Sequence, residues 1–128
     1  MPITLNGFLP DENEKLMEWL RTDRNGFPYW ENRAVFNMYP YYGMLDLMDA
    51  KERHGNDCTY FMKVENQKSA DYASGIFLYK LADEVVIYLL PISYKSGINI
   101  TGRIQFGQWV LHESKTFRNN VCRLIYPP

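Results

Sequence analysis

The chain has 128 residues, 46% of them apolar and 23% charged, with a net charge of −1. That is the length of one domain, taken as residues 1–128, with enough chain to bury one proper core. Scattered Lys and Arg at nearly balanced charge exclude the basic stripe of a nucleic-acid binder. The longest strongly apolar run, residues 85–92, is too short for a membrane-spanning helix.

The N-terminal segment MPITLNGFLPDENEK has no basic start and no long apolar run, so a cytoplasmic protein is expected. Cys58 and Cys122, the two cysteines, are then expected to be reduced. Tyrosine is the unusual feature, with ten against seven phenylalanines. Its ring packs while its hydroxyl stays wet, which suits half-buried places.

In chain order, DENEKLMEWLRTD reads as a helix. Asp11 is its expected cap, and Glu14 three residues on completes a capping-box pattern. Leu16, Trp19 and Leu20 share one face. The segment YWENRAVFNM fits neither period well and is expected to be a short strand or an irregular turn. YPYYGMLDLMDAKERHG reads as a second helix, with Pro40 at its first position and Gly55 as its stop. Tyr41, Met44, Leu45 and Met48 form its apolar stripe, and Asp49 and Arg53 are spaced to pair.

From there the pattern changes to strand. Residues 58–64 are the first candidate, and residues 65–75 a polar loop holding at most a turn of helix. Residues 76–81, 84–92, 98–113 and 121–126 follow as strands rich in Val, Ile, Tyr and Phe. The run at 84–92 is apolar on both faces, which places it centrally in the sheet. The order predicts an α+β domain: N-terminal helices packed on one face of a curved, mostly antiparallel sheet of four to six strands. Trp19, Leu45, Ile87, Leu89 and Ile104 are the expected core.

No motif specifies chemistry. The two histidines, His54 at a helix end and His112 at a strand end, are simplest as polar terminal residues. As an acid–base pair they would suit metal-independent RNA cleavage. No spacing of His, Cys or Asp matches a metal site, and no glycine-rich loop matches a phosphate or cofactor motif, so neither metal nor cofactor is expected. Asn99 opens an N-x-T triplet, which carries no weight in a cytoplasmic chain.

The aromatic-rich stretch from Pro28 to Asp49 is the remaining candidate. If Tyr41 faces the core, Tyr42 turns away from it, and Tyr39 precedes the helix. Tyr39 and Tyr42, with Asp46, Asp49, Glu31 and Arg33, make an expected partner-binding face; Tyr, Trp and Arg dominate binding hot spots. The carboxylates suit a basic protein partner, and the concrete form is an immunity or inhibitor protein that neutralises a toxin or nuclease. The alternative is a small-molecule pocket, or an enzyme built on one, at the mouth of a cone of sheet. A deep enclosed pocket containing His54, His112 or an aspartate favours the alternative. A filled core with Tyr39 and Tyr42 exposed favours the partner.

Overall fold

The computed structural model describes residues 1–40, 42–55 and 57–127. The elements in chain order are β1 (Pro2–Ile3), α1 (Lys15–Thr22), α2 (Phe27–Glu31), β2 (Phe36–Asn37), α3 (Met44–His54), β3 (Tyr60–Phe61), α4 (Gln67–Leu78), β4 (Val85–Leu89), α5 (Ile100–Arg103), β5 (Glu113–Thr116) and β6 (Cys122–Tyr126). Four strands form one sheet in the order β1-β4-β6-β5. Only β1 joins in parallel; β4 with β6 and β5 with β6 are antiparallel. The fold is α+β with a mostly antiparallel sheet, as the order of patterns implies. A second, two-stranded parallel sheet pairs β2 with β3.

β4 is central and covered on both faces. Val86, Tyr88 and Leu90 pack with Met17 and Leu20 of α1 and Phe27 of α2. Ile87 points the other way, against Ala70 and Ala73 of α4 and Ile100 of α5. The N-terminal helices thus cover one face, and α4 with α5 covers the other. Because the strand is apolar on both faces, its periodicity does not say which face is better sealed. Ile87 and Leu89 are half-buried, whereas Tyr88 and Leu90 are fully buried. Trp19 is also only half-buried. Of the expected core, Ile104 alone is buried throughout.

α1 starts later than the capping pattern implies. Glu14 is its cap residue but makes no side-chain cap bond. Tyr94 occupies the groups that a capping box would use. Its hydroxyl accepts from the Asp11 N–H at 3.0 Å and bonds the Glu14 carboxylate at 3.2 Å. The segment expected as strand or turn begins as α2, a helix set up by Pro28 in its first turn. α3 begins at Met44, past Pro40, and none of its residues is buried. Tyr41 lies outside the described residues. The inward line is Met44, Leu47, Ala50 and Lys51, so Leu45, one residue off that line, is 80% exposed. Asp49 and Arg53 pair at 3.0 Å, and Gly55 ends the helix with a positive φ.

The largest departure is α4. The polar segment and the apolar run after it, expected as loop and strand, form one helix. Asn66 and Ser69 cap it reciprocally, side chain to backbone, at 2.8 and 3.0 Å. Ile76, Phe77 and Leu78 are its last turn. The long strand expected at 98–113 is likewise absent: Asn99 accepts from the Gly102 N–H and starts α5 instead. β5 begins at Glu113, the last residue of that expected run, continues into the stretch between the expected strands, and turns into β6 through Asn120 at positive φ. β3 is shorter than the run of apolar residues around it.

Two substitutions separate these packing roles. Met17→Ala should cost about 2–5 kcal/mol, by transfer and cavity terms. Leu45→Ala should stay within about 0.5 kcal/mol, as at an ordinary surface position. Denaturant melts of both variants measure this.

Candidate functional site

Around Tyr60 the chain runs extended, and residues 58–64 apart from Lys63 border one cleft. Tyr60, Met62 and Val64 face this cleft of about 510 Å³. Ala73, Ile76 and Phe77 of α4 form one wall of it, and Leu47, Ala50 and Lys51 of α3 form the other. Val85 and Val86 lie at its inner end. Trp30, Tyr60, Phe61 and Phe77 bring four aromatic rings to its lining. Tyr60 is also stacked on Phe36, centroids 5.3 Å apart at 18°.

α3 roofs this cleft with few anchors. Met44 lies against Gly75 of α4, where an added Cβ would stand 2.7 Å from the Met44 methyl carbon. A glycine there lets the two helices approach. At the other end Lys51 binds the Asp83 carboxylate at 2.7 Å and reaches the Leu81 carbonyl at 3.4 Å.

Polar groups sit at the ends. The Met1 amine donates to the Val86 carbonyl at 2.5 Å, and burial pushes its pKa down to about 5, so it is neutral at pH 7. Glu84 keeps solvent contact, yet the crowded lip pushes its carboxyl pKa up; the nearby His112 opposes that shift. Among the described residues, no group of three His, Cys, Asp or Glu is placed to hold a metal.

Trp30 ties the cleft to the core. Its Nε1 donates to the Tyr88 hydroxyl at 2.9 Å, and that hydroxyl donates to the Asn25 carbonyl at 2.6 Å. The rings of Trp19 and Phe27 meet Tyr88 edge-on. Burial pushes the Tyr88 pKa up, and the Trp30 bond and Arg123 charge oppose it. Gly26 is required here: a Cβ would lie 2.2 Å from the Leu20 carbonyl oxygen. Behind this group, Arg123 is buried in a cage of Tyr29, Trp30 and Phe117 rings. It bonds Glu113 at 2.9 Å.

The candidate partner face is divided among three places. Glu31 pairs with Lys63 at 3.1 Å and, with Tyr39, lines a second cleft of about 300 Å³. Arg33 lies 3.5 Å over the Tyr29 ring and reaches the lip of the large cleft. Tyr42, Asp46 and Asp49 are exposed along α3 and just before it. His54 ends α3, and His112 precedes β5; among the described residues neither imidazole is bonded to the other. Both cysteines are free, and Cys58 lines the large cleft. The cleft residues Lys51, Asp83 and Phe77 were not singled out by sequence. The alternation from Met62 to Glu65 is the local signal for a two-sided extended segment.

No protein-family model matches the chain, and no curated protein matches it. Among solved structures, the fold is similar to a protein from Shewanella sp. PV-4 provisionally named for riboflavin biosynthesis. The TM-score is 0.57 at 14% identity, over 99% of this chain and 95% of that one. The likeness establishes a shared fold.

Tyr88→Phe should cost about 1–3 kcal/mol, because it strands the Asn25 carbonyl and removes the acceptor for Trp30. The check is an equilibrium unfolding curve together with a shift in tryptophan emission, since Trp30 loses its fixed partner.

Proposed function

We propose that this is a small-molecule-binding protein whose ligand is a compact aromatic compound lying between α3 and α4. The observation that carries the reading is the cleft. Its volume lies within the range of ligand sites, its lining is largely apolar and aromatic, and a few polar groups converge at its ends. Asp83, exposed and paired with Lys51 at the lip, is one of those polar groups. The name of the Shewanella protein of similar fold agrees with this, since riboflavin is itself a planar aromatic compound.

The test uses toluidinonaphthalene, an uncharged aromatic dye whose emission rises in apolar sites. It should bind saturably and quench Trp30. Ile76→Trp or Ala50→Trp, each filling the cleft from one wall, should reduce its affinity at least tenfold, about 1.4 kcal/mol, with near-ultraviolet circular dichroism retained. Unchanged dye affinity in both variants overturns the reading.

A second reading is supported by the outer side of α3, where Leu45 is 80% and Met48 37% exposed beside Asp46 and Asp49. Apolar anchors rimmed by carboxylates suit a basic protein, such as a toxin or nuclease that this chain would neutralise as an immunity protein. Leu45→Ala with Tyr42→Ala should leave folding within about 1 kcal/mol and weaken binding to that nuclease at least tenfold, read by titration. Unchanged affinity removes this reading.

A further inference from the structure

The four-stranded sheet ends in an open edge. In the order β1-β4-β6-β5, β5 has β6 on one side and, among the described residues, no strand on the other. All four of its residues are exposed. The Phe117 N–H donates to the Val121 carbonyl at 2.9 Å, in the register that pairs Lys115 with Arg123 and Glu113 with Ile125. Antiparallel bonding alternates along a strand, so Glu113 and Lys115 turn their backbone groups to β6. Ser114 and Thr116 turn theirs outward. Such a row of unpaired N–H and C=O groups is a template for another strand.

Charge decides which strand fits. Lys115 stands directly across from Arg123, a buried cation, and like charges so placed repel. Arg123 takes the Glu113 carboxylate at 2.9 Å, and the Lys115 ammonium lies 5.4 Å from the Phe117 ring centroid. Glu113 and Lys115, two residues apart, project from the same face, and the Glu113 side chain is 48% exposed. The open side of Lys115 thus suits a carboxylate and that of Glu113 a cation, and β5 itself carries both at the right spacing. A two-fold axis through Ser114 lets two copies exchange their Ser114 backbone bonds and sets each Glu113 opposite the other copy's Lys115. The neighbouring registers are worse. An axis through Lys115 sets lysine against lysine, and one through Thr116 runs Glu113 past the hairpin turn at Asn119. In the favoured register Val110 and Leu111, 77% and 48% exposed just before the strand, are carried toward the other copy's turn.

We propose that the chain forms a weak two-fold dimer by antiparallel pairing of β5 with β5 of a second copy, centred on Ser114 and flanked by two Glu113–Lys115 pairs. The two four-stranded sheets then run on as one. Pairing over so short a strand buries little area, so the dimer dissociates on dilution. Its ion pairs are exposed, so salt weakens it further. The dimer is independent of the cleft reading, because β5 lines neither cleft.

Sedimentation velocity of the full chain, from micromolar to millimolar concentration, tests this. The unaltered protein should show a dimer that grows with concentration and recedes in high salt. Ser114→Pro removes only an outward N–H, which an edge strand tolerates. It should give a monomer with unchanged near-ultraviolet circular dichroism. Lys115→Glu sets carboxylate against carboxylate and should weaken the dimer at least tenfold, about 1.4 kcal/mol. Lys68→Glu, the same change of charge at the exposed start of α4, should shift it by less than twofold. A chain that is monomeric at every concentration, a dimer that persists in Ser114→Pro, or equal effects of Lys115→Glu and Lys68→Glu overturns the proposal.

Discussion

The Tyr88 hydroxyl is the point on which the structure depends. A phenol at the centre of a sheet is costly to bury unless its polar atom is satisfied. Here it takes the Trp30 indole proton and gives its own to Asn25. One bond fixes the loop after α1; the other fixes α2. Both lie on the face that Met17 and Leu20 cover, so a single residue sets the distance between the central strand and the N-terminal helices. Gly26 follows from this, because the loop must come within contact of the Leu20 carbonyl.

The same constraint reaches the cleft. Trp30, held from behind by Tyr88 and flanked by Arg123, contributes to the cleft lining. Trp30 brings part of the Tyr88 core into the lining, while the wall formed by α3 buries no residue. A half-exposed ion pair such as Lys51–Asp83 adds little stability by itself. The roof is held mainly by Met44, Leu47 and Ala50. A better-packed floor thus lies under a lightly anchored roof.

Residues at the β2–β3 ladder border both clefts, Met38 and Phe61 lining each of them. Tyr60 and Met62 line the large cleft, Lys63 the small one, and Phe61 both. The capped start of α4 stands beside the small cleft, and its last turns line the large one. A single helix thus serves both clefts.

The sequence by itself determined the α+β class, the central place of β4, the final strand, the Asp49–Arg53 pair and the stop at Gly55, because each rests on local spacing or on an apolar run. Tyr39 and Tyr42 are exposed as expected, although both precede α3, so the helix-face argument made for Tyr42 does not apply. Tertiary structure decided the rest. Residues 76–78 are apolar enough for a strand, and only the Asn66–Ser69 cap and packing on β4 make them the end of a helix. Asp11 and Glu14 have the spacing of a cap, but Tyr94, eighty residues later than Glu14, takes up their polar groups. Leu45 has the spacing of a core residue, yet α3 lies over a cleft and turns Met44 and Leu47 inward. The cleft was not legible because its residues come from separate segments spread from Met1 to Val86. Lys51 meets Asp83 across thirty-two positions, and no periodicity records a contact between elements that only the folded chain brings together.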